Sequence, residues 1–184
     1  MYPEKPFPAS YWLKPDQIAA GELPTSTIQM EASGKIESLL NAGIEIYINL
    51  LESDEFEKRT FAHSNYPDYS NELKDAGERK GLNVECIRFP IVDFGIPSKP
   101  EMIDILNCID MNLENQRRVY FHCYAGLGRT GTVAGCWLVR HGMEGGEALQ
   151  ELYNIRHAQG TTAYGISPQN DLQINFVRNW KQGQ

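Results

Sequence analysis

Val119-Tyr120-Phe121-His122-Cys123-Tyr124-Ala125-Gly126-Leu127-Gly128-Arg129-Thr130-Gly131 decides how this chain is read. The apolar run from Val119 predicts a strand, and Thr130 to His141 predicts a helix ended by Gly142. Gly126 and Gly128 permit a tight curl between the two. Strand, glycine-rich loop and helix bring backbone N–H groups and a helix N-terminus to one point, which suits an anion. Arg129 adds a planar fork of donors matched to phosphate oxygens. Cys123 stands at the first position of the loop, where the same positive field favours its thiolate as a nucleophile. A buried core thiol beside a merely tight turn is the plainer reading, and it leaves Arg129 unexplained.

His122-Cys123, five residues, then Arg129-Thr130 resembles the signature of the cysteine-dependent protein tyrosine and dual-specificity phosphatases. The likeness is specific in this loop and loose from Trp12 to Trp180. It implies a compact αβα phosphatase domain acting through a covalent phosphocysteine on Cys123, without metal or cofactor. The equatorial phosphate oxygens would be held by the backbone N–H groups of Tyr124, Ala125, Gly126, Leu127, Gly128 and Arg129, with the Arg129 guanidinium.

The leaving oxygen needs a proton from another segment. Asp93 is the candidate, in Pro90-Ile91-Val92-Asp93-Phe94-Gly95-Ile96-Pro97. The bracketing prolines and Gly95 suit a lid. The segment resembles the family's general-acid loop, although Ile91-Val92 stands where many large members carry Trp-Pro, closer to the small dual-specificity branch. A turn aspartate bonding local N–H groups is the competing reading. Asp104 and Asp110 fall on a helix with a core stripe and are weaker candidates. Thr130 is expected to donate to the departing sulfur, or to bond helix-start backbone, or both. His122 is expected to orient the loop or tune Cys123 rather than carry protons. Gln169 resembles the water-positioning glutamine of the tyrosine-specific branch; a surface helix-start glutamine is equally open. Arg156 and His157 read as helix caps in preference to a second anion site. Cys86 and Cys136 read as core.

The chain has 184 residues, 41% hydrophobic and 22% charged, which fits one folded domain over 1–184 with an irregular, proline-rich lead-in over 1–10. Net charge of -7 disfavours nucleic acid as a partner and, weakly, a highly phosphorylated lipid. No apolar run reaches membrane-span length, and the N-terminus lacks the pattern of a secretory signal. Four scattered cysteines, with no Cys-x-x-Cys pair, point to a reducing cytoplasm.

Working outward, Tyr11-Trp12-Leu13 predicts an edge strand and Ala20 to Pro24 a turn. Ala32 to Ala42 predicts a helix, and Ile44 to Leu51 a strand with Ile44, Ile46, Ile48 and Leu50 on one side. Glu52 to Tyr69 reads as a long loop with a helical turn, then Ser70 to Lys80 as a helix and Asn83 to Phe89 as a strand. Ser98-Lys99-Pro100-Glu101 is a capping-box pattern ahead of a helix. Gly145 to Arg156 predicts another helix, and Ser167-Pro168 starts the last one, with Gln173, Phe176, Val177 and Trp180 on one stripe. Together these predict an α/β fold, a small and mostly parallel sheet flanked by helices. The expected function is phosphomonoester hydrolysis on a phosphorylated protein or peptide. A phosphoinositide or other non-protein phosphate is the alternative, and a non-catalytic phosphate-binding module ranks low. Oligomeric state is open.

Overall fold

The computed structural model describes residues 2–26, 28–53, 55 and 68–183. Within them, β1 (Ser10–Lys14), β2 (Ile18–Gly21), β3 (Ile44–Asn49), β4 (Glu85–Arg88) and β5 (Arg118–His122) form one sheet in the order β1-β2-β5-β3-β4. β1 runs antiparallel to β2, and the other pairings are parallel. The helices described are α1 (Gln29–Asn41), α2 (Ser70–Arg79), α3 (Lys99–Glu114), α4 (Gly128–Arg140), α5 (Gly145–Ala158) and α6 (Asp171–Asn179).

β5 is the middle strand, and its alternation builds both layers. Val119 and Phe121 pack with residues of α3, α4, α5 and α6. Tyr120 points the other way, into a cluster with Ile36 and Leu39 of α1 and Leu73 of α2. Each such side chain contributes about 1.5–3 kcal/mol when fully buried. The αβα layering expected from the sequence is therefore the one observed. The capping box is also present: Ser98 Oγ accepts from Glu101 N at 3.4 Å, and Glu101 Oε2 accepts from Ser98 N at 2.7 Å.

Three expectations need correction. Ala20-Gly21 is not a turn but the end of β2, which pairs with β5 from Ile18↔Val119 to Gly21↔His122. Its small side chains carry no strand pattern, yet all four residues are buried. Ile44 does not share a side with Ile46. The register shifts between them, and Ile44 joins the α1–α2 cluster while Ile46, Ile48 and Leu50 face the other layer. An extra residue in a strand flips the side chains beyond it. The last helix starts at Asp171, capped by Asn170, whose Oδ1 accepts from Gln173 N at 3.0 Å. Ser167 serves the loop after β5 instead, donating from Oγ to Leu127 O at 2.7 Å. The loop expected over Glu52 to Tyr69 lies largely outside the described residues.

Candidate active site

The C-terminal end of β5 delivers Cys123 to the carboxyl ends of the parallel strands, where loops of such folds gather ligands. Cys123 is 3% exposed, and its N–H donates to Thr130 Oγ1 at 2.9 Å. A hydroxyl accepts and donates at once, so Thr130 keeps a proton to give. α4 begins at Gly128 with no side-chain cap. Its first N–H groups have no partner within the helix. Among the described residues nothing accepts from the N–H of Ala125, Gly126 or Leu127 either.

The loop is fixed from outside. Gly126 has φ +71, and a Cβ there would lie 2.3 Å from Gly21 C. Leu23 N donates to Tyr124 O at 3.0 Å, and Leu50 N to His122 O at 2.9 Å. His122 is fully buried beneath it. Its Nδ1 lies 3.1 Å from Cys123 O, and Nε2 lies 2.6 Å from Tyr69 OH. A carbonyl only accepts, so Nδ1 carries the proton and Nε2 accepts from the tyrosine. Burial first, then the Arg129 and Arg88 charges, push His122 down to about 3. The neutral ring thus orients the loop and is no proton carrier at neutral pH.

Arg129 is 1% exposed although charged. Its guanidinium pairs end-on with the Glu55 carboxylate, Nη2 donating to Oε2 at 3.0 Å and Nη1 donating to Oε1. Nη1 also donates to Ile91 O at 3.0 Å, and Nη2 lies 2.9 Å from Asp93 Oδ1. Asp93 is thereby brought to the loop from a segment 30 residues earlier, and its Oδ1 also accepts from Phe94 N at 3.2 Å.

One cavity of about 280 Å³ is lined by Asp93, Phe94, Cys123, Tyr124, Ala125, Arg129 and Gln169. The structure therefore collects the expected nucleophile, acid, arginine and glutamine around one cavity. Phe94, Glu55 and Asn170 carry no functional reading in the sequence, and Gln173 only a place on the stripe of the last helix. Asn170 Nδ2 donates to Phe94 O at 2.9 Å, and Gln173 Nε2 to Gly95 O at 3.1 Å, so the start of α6 holds the Asp93 segment. Gln173 Oε1 also accepts from Gln169 N at 3.1 Å. Arg156 reaches beyond its helix, donating to Gly165 O and Thr161 O, both at 3.0 Å. Asp110 is engaged by Trp137 Nε1, Arg140 and His141, far from this role in sequence and bonding. The four cysteines are free thiols, and Cys136 is buried in the core, where burial raises its thiol.

Fold and site together are those of a phosphatase of the cysteine-based dual-specificity and tyrosine type. The family model described as "Tc-R-P: Polymorphic toxin system, DSP-PTPase phosphatase" matches residues 23–143, and the chain belongs to this family. An uncharacterized protein of Methanocaldococcus jannaschii is 36% identical over 73 residues, covering 39% of this chain and 50% of that protein. The chain thus matches only half the length of that relative. Protein tyrosine phosphatase domain-containing protein 1 of Mus musculus is 31% identical over 130 residues, 71% of this chain and 17% of the mouse protein. Among solved structures, PTPMT1 in complex with PI(5)P superposes with a TM-score of 0.68 at 21% identity, covering 94% of each chain. No helix among the described residues is long and apolar enough to cross a membrane.

Proposed function

We propose that the protein hydrolyses phosphomonoesters on phosphoprotein, phosphotyrosine foremost, through a phosphocysteine on Cys123. The observation that carries this is the shared cavity of Cys123, Asp93 and Arg129. The Cys123 thiolate attacks phosphorus in line, forming the S–P bond as the P–O bond to the leaving group breaks. The N–H groups from Tyr124 to Arg129 and the Arg129 guanidinium hold the three equatorial oxygens. Asp93 gives its proton to the leaving oxygen. Water then attacks the phosphocysteine, Asp93 takes the proton of that water, and inorganic phosphate leaves with the thiolate restored. Thr130 donates to the departing sulfur, and Gln169, on the cavity wall, positions the water.

The substrate reading rests on charge. The loop interior carries Tyr124, Ala125 and Leu127 and no lysine, and the chain is acidic at -7. A phosphoinositide is the second reading, prompted by the PI(5)P bound in the PTPMT1 structure, whose 21% identity speaks for the fold. The scattered free thiols suit a reducing, cytoplasmic setting. The test compares catalytic efficiency on matched phosphotyrosyl and phosphothreonyl peptides and on phosphoinositide vesicles, with Cys123→Ser as blank. Peptide turnover that vanishes in the blank supports the proposal. Turnover retained in Cys123→Ser, or confined to vesicles, overturns it.

A further inference from the structure

The cavity at Cys123 has a neighbour on its Tyr124 and Ala125 side. Tyr124 and Ala125 also line a second cavity of about 250 Å³, together with Glu22, Thr25, Glu31 and Lys35. Glu22, Glu31 and Lys35 in turn line a third, of about 500 Å³, whose walls include Phe7, Pro8 and Tyr164. The shared lining residues set these cavities side by side, and we read them as one trough leading from Cys123 toward Tyr164. Its near wall is bound to the loop by Leu23 N donating to Tyr124 O at 3.0 Å, and to β5 by Tyr120 OH donating to Glu22 O at 2.6 Å. The trough therefore keeps a fixed position relative to Cys123.

Its charge is unbalanced. The Lys35 ammonium is engaged by Glu22 at 2.7 Å and by Thr25 O at 3.1 Å. Glu31 accepts from the Ser26 hydroxyl at 2.8 Å, and among the described residues no cation pairs with it. In the same wall, the Thr25 hydroxyl is buried without a partner among the described residues. Farther out, Phe7 and Pro8 with the half-exposed Tyr164 give an apolar end.

We propose that this trough binds the polypeptide flanking the phosphorylated residue and selects a basic side chain opposite Glu31, followed outward by an apolar one against Phe7 and Tyr164. The proposal rests on the phosphoprotein reading and adds to it a sequence preference. A phosphoinositide would bring further anionic groups toward Glu31, where they are repelled; a peptide ammonium or guanidinium is attracted.

The test uses the whole chain and a phosphotyrosyl peptide scanned with Lys, Ala and Glu at each flanking position in turn. Turnover of p-nitrophenyl phosphate, which is too small to enter the trough, reports an intact catalytic centre. At one flanking position Lys is expected to exceed Ala by about fivefold in kcat/KM, the scale of a partly exposed ion pair. Glu31→Lys is expected to reverse the order of Lys and Glu at that position and to leave p-nitrophenyl phosphate turnover unchanged. Peptides hydrolysed with no dependence on flanking charge, or a dependence that survives Glu31→Lys, overturn the trough but not the phosphoprotein reading. p-Nitrophenyl phosphate turned over with no peptide hydrolysed overturns both.

Discussion

Asp93 Oδ1 and Arg129 Nη2 stand 2.9 Å apart in the lining of the cavity, tying the segment after β4 to the first turn of α4. A carboxylate that served only to hold the arginine would matter equally for every substrate. A proton donor matters most where the leaving oxygen is basic. Asp93→Asn is therefore expected to slow an alkyl or phenyl phosphate by about a hundredfold or more, and p-nitrophenyl phosphate far less. A leaving-group series measures this, and equal losses across the series would assign Asp93 to arginine positioning alone.

Glu55 holds the other side of the same guanidinium, and its side chain is 10% exposed against 1% for Arg129. Removing one partner of a buried pair leaves the other charge uncompensated and poorly oriented. Glu55→Ala is expected to lower kcat by about tenfold and to weaken inhibition by inorganic phosphate, with Glu55→Gln intermediate because it retains one acceptor. Inhibition constants for phosphate in the variants check it. Unchanged values would mean that Arg129 is held well enough by Ile91 O and Asp93.

Asn170 has two tasks that one substitution separates. Its Oδ1 caps α6, and its Nδ2 donates to Phe94 O at 2.9 Å. Asn170→Asp keeps an acceptor for the cap and loses the donor. Stability is expected to stay within about 0.5 kcal/mol, while kcat falls severalfold for phenyl phosphate as the Asp93 segment loosens. Thermal melts and kcat on the same preparations decide it.

His122 makes stability depend on pH. Its folded value is near 3, below the ordinary 6.5, so between these limits the unfolded chain binds the extra proton. The contribution is complete above about 6.5 and is lost as pH falls toward 3, at a slope of up to about 1.4 kcal/mol per pH unit. His122→Gln, which cannot titrate, is expected to flatten the stability profile between pH 4 and about 6.5 relative to the parent. Urea unfolding across that range measures both slopes, and parallel profiles would refute a neutral buried imidazole.

Gly126 and Gly160 have nearly the same φ, +71 and +70, but of the two only Gly126 abuts a strand, the end of β2. A Cβ at Gly160 meets nothing within 4 Å, whereas one at Gly126 meets Gly21 C at 2.3 Å. Gly160→Ala is expected to cost about 1 kcal/mol of strain. Gly126→Ala is expected to cost clearly more and to abolish activity, because β2 and the phosphate loop must part. Paired unfolding curves and activity assays give the difference.

What the sequence determined by itself is local. Cys123 to Arg129 and the runs on either side specify strand, loop and helix through contiguous residues. Ser98 and Glu101 announce a helix start in the same way, and Asp93 is marked by its prolines and glycine. The tertiary structure decided the contacts that set one segment against another. Glu55 meets Arg129 across 74 residues, and Tyr69 meets His122 across 53. Asn170 meets Phe94 across 76, and β2 is a strand because β5 pairs with it. Ile44 turned to the opposite layer because a register shift moved it. Backbone periodicity and capping are properties of neighbours in the chain, so the residues display them directly. A carboxylate's partner and a strand's register depend on which segments the sheet order brings together, and that order arises only when the whole core is packed.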